Sequence, residues 1–250
     1  RIILAANQPF DRQKKALLEQ FPQHIFTTVI LETLPGKTLL NDSGLYGKTG
    51  TVASENNFSL DESGSLNKLQ APLKSATQAD FKISLHPDNS ADITAKYIFY
   101  GNDHLFYSDM FARSTPQTIQ QFLESKASGI SLKAKITGKK IDFTSYPGKL
   151  ILQLNVPDFA RTNGKYISVM LPGANDLAAA VMVTSAKRKT PLLRETAVDI
   201  SCYWQISVPE KYKLLSPVEE SAVSEKSTLF SLYFTVYPST LTVAVCALPS

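Results

Sequence analysis

The sequence predicts a mainly β fold with minor α content, an α+β chain whose strands pair antiparallel, and three observations carry that prediction. Apolar and polar residues alternate with period two over many short segments. Those segments follow one another across Pro-, Gly- and Asn-rich turns too short to hold a crossover helix. Helix-like spacing is confined to a stretch near 11–21 and another between 105 and 129.

From Arg1 to Ala79 the pattern is mixed. A strand is expected at Ile2 to Ala5, a helix from Asp11 to Phe21 closed by Pro22, and a strand at Phe26 to Thr33. The turn Pro35-Gly36 leads to a second strand at Lys37 to Leu40, so the run reads as a hairpin. Between Asn41 and Leu66 the composition shifts to Gly, Ser, Thr and Asn, which reads as loop with short strands at most and as a seam between domains.

From Asp80 the β character strengthens. Phe81, Ile83 and Leu85 alternate with polar residues, Pro87-Asp88-Asn89-Ser90 supplies a turn, and Ala91, Ile93, Ala95, Tyr97 and Phe99 resume the alternation. This is a hairpin with one wet face. A helix is expected over Leu105 to Arg113, then another with Thr115 as N-cap, Pro116 at its first position, Ile119, Phe122 and Leu123 inside and Gly129 past its end. Strands follow at Ile130 to Ile136, Lys140 to Thr144, Lys149 to Val156, Tyr166 to Leu171 and Ala178 to Thr184, and three more near Val198 to Val208, Leu229 to Val236 and Leu241 to Cys246. The tail reads as half of a β-sandwich.

The 250 residues suit one large β-rich domain or two ordinary ones. The expected division is 1–79 and 80–250, the latter dividing again near 175–190. With 43% apolar residues the chain carries enough material for a packed core, and 26 basic against 22 acidic residues leave only +4, too little and too scattered to announce a nucleic-acid partner. No run reaches the roughly 18 to 20 apolar residues of a membrane-spanning helix. Strand-like segments stand almost at both ends, which suggests part of a longer multidomain chain.

The two cysteines form neither a disulfide framework nor a four-ligand metal set. Alternation puts Cys202 on the buried face with Ile200, Trp204 and Ile206, and leaves Cys246 with Thr242 and Ala244 on the other face of its strand, against a bridge.

Motifs for chemistry are sparse. His24, His86 and His104 stand apart without metal-ligand spacing, so neither a metal nor a cofactor is expected. His86 reads as a turn residue and His104 as a cap or flank of a helix. In Gly44-Leu45-Tyr46-Gly47-Lys48-Thr49-Gly50 the first glycine stands three residues before the second, too close for a phosphate-binding loop. Asp61-Glu62 and Glu219-Glu220 read as solvated loop acids, and Lys187-Arg188-Lys189 as a soluble basic loop. Outward aromatics among Tyr97, Phe99, Tyr100, Phe106 and Tyr107 could stack on sugar rings, although cross-strand packing is the plainer reading.

One resemblance emerges from several short motifs in order. Phe26-Thr27-Thr28-Val29-Ile30-Leu31, Pro35-Gly36-Lys37, Leu40-Asn41-Asp42-Ser43, and Tyr46 with Gly50 resemble the end of the catalytic core in bacterial transglutaminase-like proteins of the papain-like cysteine protease superfamily. Leu60 to Leu66, Val156-Pro157-Asp158-Phe159-Ala160-Arg161, and Arg188 and Pro191 ahead of Ile206 to Tyr212 resemble the all-β C-terminal region of the same multidomain proteins. The resemblance implies a remnant of a transglutaminase-like α+β core followed by an antiparallel β-sandwich-like region, in an extracytoplasmic protein.

In that family a Cys-His-Asp triad attacks an amide. Here the histidine position matches Thr28, whose hydroxyl is too weak a base near neutral pH, and the aspartate position matches Asn41, with Asp42 as a stand-in one residue on. The nucleophile would lie upstream of residue 1. His24 is four residues from Thr28, about 13 Å along a strand, too far to replace it. The expectation is therefore a non-catalytic binding or structural portion recognising a polypeptide or glycan. Two other readings stay open: part of an active cysteine-dependent amidase, protease or transglutaminase whose nucleophile lies upstream, and a carbohydrate-binding β-sandwich.

Overall fold

The computed structural model describes residues 1–9, 26–33, 38–40, 47–54, 57–163, 166–173, 199–209, 221–225, 228–237 and 240–248. The described residues are mainly β, with two helices among them, neither long and apolar enough to cross a membrane. They divide into two compact units, one within Arg1–Ala76 and Tyr100–Asp109, the other within Thr77–Phe99, Met110–Thr184 and Val198–Ser250. The expected helix at 11–21, the strand at 178–184 and the basic cluster at 187–189 lie outside the described residues.

The first unit holds a five-stranded antiparallel sheet in the order β3-β2-β1-β4-β5, from β1 (Ile2–Pro9), β2 (Phe26–Glu32), β3 (Leu39–Leu40), β4 (Asn57–Leu60) and β5 (Leu66–Lys68). Period two decides its faces. Ala5, Ile30 and Leu39 bury on one side with Val52, Leu69 and Ala71, while Ile2, Val29, Leu31 and Leu40 on the other are 41–58% exposed. The Gly- and Ser-rich stretch supplies the short strands β4 and β5, as expected, but it is not a seam, since the chain leaves this unit only after Ala76. Asp61-Glu62, expected to be merely solvated, fastens the N-terminal strand: Arg1 reaches Asp61 at 3.0 Å and the Ile2 amide donates to Glu62 at 2.8 Å.

The second unit is built on an eight-stranded sheet of order β13-β14-β15-β12-β6-β7-β9-β8. Its strands are β6 (Ala76–Leu85), β7 (Ala91–Tyr100), β8 (Lys135–Asp142), β9 (Gly148–Val156), β12 (Ile200–Ser207), β13 (Ser221–Glu225), β14 (Thr228–Tyr237) and β15 (Thr240–Leu248). A small ribbon of β10 (Ala160–Asn163) and β11 (Tyr166–Val169) stands apart from it. As the alternation required, Phe81, Ile83, Leu85, Ala91, Ile93, Ala95, Tyr97 and Phe99 are buried. Directly opposed residues of antiparallel strands share a face, so Leu150, Leu152 and Leu154 of β9 extend the same apolar layer. Aromatic rings join it end to end: Trp204 stacks on Phe81, Phe81 meets Tyr97 edge-on, and the chain continues through Phe99, Phe143 and Phe111 to Phe122.

Helix α1 runs Gly101–Arg113 and α2 runs Pro116–Ile130. Thr115 caps α2, accepting from the Thr118 amide at 3.2 Å, with Pro116 at the start as expected. Leu123 and Ala127 bury while α2 lies against β8 and β9.

Three expectations need correction. Gly129 lies inside α2, which ends at the cap Ser131, whose amide bonds to the Ala127 carbonyl; Gly129 has ordinary helical backbone and no left-handed role. The two strands expected at Ile130 to Ile136 and Lys140 to Thr144 are the single strand β8, which absorbs Thr137 as a bulge and stops where Asp142 accepts from the Thr144 amide and hydroxyl. Pairing is not antiparallel throughout, since β12 runs parallel to β6. Alternation is blind to strand direction, and neither this pairing nor β10 and β13 could be read from it.

Candidate functional site

Thr28 stands in β2 opposite Ala5 of β1, half-buried on the inner face that carries Ile30. The position matched to a catalytic histidine is therefore a strand residue on the face of the first unit's core, beside the register shift at Ala5 and Ala6. β3 pairs Leu40 with Leu31, and Asn41 and Asp42 follow outside the described residues, as does His24. Of the three sequence-matched positions the structure describes Thr28 alone. The only described residues of the glycine-rich Gly44–Gly50 segment, Gly47 to Gly50, close a turn in which the Thr51 amide bonds to the Lys48 carbonyl at 2.8 Å.

Cys202 belongs to the second unit and is 2% exposed. A side-chain carbon on Gly173 would come within 3.6 Å of its sulfur, so the thiol is roofed by the 172–173 segment. This is core packing rather than a nucleophile's setting. The ladder sets Cys246 against Ser201 and Val245 against Cys202, as the alternation expected.

Two histidines have defined surroundings. His86 Nε2 lies 3.0 Å from Asp92, which also accepts from Asn155 at 3.0 Å; these two hydrogen bonds, Asn155 first, hold the Asp92 carboxyl below its usual range. The aspartate orients the ring, yet among the described residues no hydroxyl or thiol stands at the other nitrogen to be activated. His104 is not a cap but an interior residue of α1, 4% exposed, its Nε2 3.4 Å from Ser108 Oγ one turn on. Burial pushes its pKa down and favours the neutral ring. No group of three or more His, Cys, Asp or Glu converges among the described residues.

Of the aromatics considered for sugar stacking, Tyr97 and Phe99 are buried in the sheet layer, whereas Phe106 is 64% exposed on α1 with Tyr107 edge-on beside it.

Of the strands that end the two larger sheets among the described residues, β3, β5, β8 and β13, the basic one with a long unbroken run is β8. It ends the eight-stranded sheet, pairing with β9 on one side only among the described residues. The strand reads Lys-Ile-Thr-Gly-Lys-Lys-Ile-Asp, with Lys135, Thr137, Lys139 and Lys140 exposed. Past the bulge, residues 138–142 keep one register against residues 149–153. Gly138 leaves room there for the end of the Gln153 side chain opposite it. Lys139 donates to Gln120 of α2 at 2.8 Å, and Asp142 is held below the usual carboxyl range first by the Thr144 hydroxyl and further by Lys140 and Lys149. Sequence inspection reads this segment as two interrupted strands, and an edge position is not visible without the strand order.

No family model, curated protein or solved structure matches the chain.

Proposed function

We propose that the chain is a non-catalytic, polypeptide-binding portion of an extracytoplasmic bacterial transglutaminase-like protein, with a remnant of the α+β core in the first unit and a sandwich-like β region in the second. The observation that carries it is Thr28, paired with Ala5 in the β1–β2 ladder beside a register shift, where the resemblance calls for an imidazole. An alcohol there cannot take a thiol's proton near neutral pH, and the described thiol, Cys202, is buried in the other unit. The five-stranded sheet with its core on one face supports the remnant; the eight-stranded, largely antiparallel sheet of the second unit supports a β-rich region after it, although its apolar layer is covered by α2 and the 172–173 segment where a sandwich would have a second sheet. A polypeptide is favoured as ligand because an open sheet edge offers a row of backbone donors and acceptors matching an extended chain.

The test is turnover of a glutamine-amide peptide by the purified chain, together with binding to a set of immobilised peptides and a glycan array. The expected outcome is no turnover and retention of peptides. Turnover abolished by thiol alkylation overturns the non-catalytic reading, and glycan binding without peptide binding replaces the polypeptide with a sugar.

A further inference from the structure

We infer that the β8 edge is the place where the polypeptide binds, and that the bound segment is an extended strand with two adjacent acidic residues. This rests on the polypeptide-binding reading above.

The strand order leaves the outer edge of β8 without a strand partner among the described residues, so alternate backbone N–H and C=O groups of residues 138–142 face outward. These residues keep an unbroken register, and five of them span about 17 Å at ~3.3 Å each. That is enough backbone to template a ninth strand. The bulge at Thr137 twists the strand and limits templating to the Gly138–Asp142 half.

Charge selects what can be added. β8 carries three lysines against one aspartate, and no ion pair among the described residues takes up Lys135 or Lys140. Lysines on an edge ordinarily keep it from pairing with copies of itself. The same charges attract an acidic strand, so the edge discriminates by sign rather than being closed. Register makes the preference specific. Lys139 lies opposite Leu152, on the apolar side where it reaches Gln120, and Lys140 lies opposite Ile151 on the solvated side. Neighbouring residues of an added strand also point to opposite faces, so two consecutive acids meet one lysine each. Asp142 shares Lys140's face and disfavours a further acid beyond that pair.

The experiment measures fluorescence anisotropy of the labelled peptide Thr-Val-Thr-Glu-Glu-Val-Thr-Val with the full chain at low ionic strength. Two control peptides replace Glu-Glu by Lys-Lys or carry N-methyl groups on alternate central amides. Saturable binding is expected, weakened about tenfold or more by Lys139→Glu with Lys140→Glu, by the Lys-Lys exchange and by N-methylation. Both lysines are exposed, and circular dichroism checks that the doubly substituted chain folds. Equal binding to the substituted chain, or equal binding of the N-methylated peptide, overturns the edge assignment. If this peptide fails while neutral immobilised peptides bind, the edge assignment falls and the polypeptide reading stands; if no peptide binds, both fall.

Discussion

Trp204 of β12 and Phe81 of β6 lie directly opposite each other in a parallel ladder, their rings stacked with centroids 6.2 Å apart and planes 12° from parallel. The indole also donates from Nε1 to the Pro172 carbonyl at 2.8 Å, which ties the 172–173 segment down over the apolar layer. One side chain thus joins two strands distant in sequence and pins a loop above them. Trp204→Phe keeps an aromatic ring against Phe81 but deletes the donor, and is expected to cost about 1–2 kcal/mol. Trp204→Ala leaves a void in a site 1% exposed and is expected to cost about 3–5 kcal/mol. Urea titrations followed by circular dichroism measure both, because each variant lacks the chain's single tryptophan. An unchanged midpoint in Trp204→Phe removes the Pro172 bond from the account.

Two glycines should respond to alanine with opposite signs. Gly101 opens α1 at φ +54, and an added side-chain carbon would stand 2.5 Å from the Lys74 carbonyl oxygen and 2.6 Å from the Ser75 nitrogen. Both neighbours are backbone and cannot swing aside, so Gly101→Ala is expected to destabilise by about 2 kcal/mol or more. Gly129 sits within α2 with nothing inside 4 Å, and Gly129→Ala is expected to stabilise by about 0.5–1 kcal/mol. Denaturation midpoints compare the pair directly, and a loss of stability in Gly129→Ala would contradict its place in the helix interior.

Stability should fall as pH drops through the histidine range. His104 is buried with its pKa pushed below the ordinary 6.5, so between the two values the unfolded chain binds the extra proton and the folded chain does not. The contribution is fully present above about pH 6.5 and is lost as pH falls toward the folded value. Urea midpoints from about pH 7.5 to 5 should decline in the native chain and stay flatter in His104→Gln. The carboxylates held low, Asp61, Asp88, Asp92 and Asp142, act in a more acidic window, below their ordinary 3.8. A slope unchanged by His104→Gln assigns the effect to another group.

The cap of α2 can be removed without touching the core. Thr115→Ala deletes the oxygen that accepts from the Thr118 amide and is expected to cost about 1 kcal/mol. Thr115→Ser and Thr115→Asp retain an acceptor and should restore most of it. Thermal denaturation of the three variants checks the order, and equal midpoints would show that water satisfies the amide as well as the side chain does.

How far the residues foretold these features depends on the range of the forces involved. The β6–β7 hairpin was legible because alternation from Phe81 to Phe99 and the turn at Pro87 to Ser90 are local signals, and burial follows them residue by residue. Thr115 and Pro116 named the start of α2 for the same reason. The end of α2 was misread because glycine tolerates a left-handed cap without demanding one, and Ser131 performs the closure instead. At the candidate edge, Lys139 and Lys140 were legible as residues but not as a surface, since nothing within Lys135–Asp142 states that β9 covers one side only.

Sequence alone therefore determined which segments of the β6–β7 hairpin and of β9 and β12 alternate, which of their residues turn inward, and that Cys202 is core, because these depend on residue chemistry and on a two-residue period. Only the tertiary structure decided that β12 runs parallel beside β6, that β4 returns to β1, and that β8 is last in its sheet. Backbone hydrogen bonds are alike at every residue, so the partner of a strand is selected by how whole apolar faces pack together, and that information is not held in any one segment.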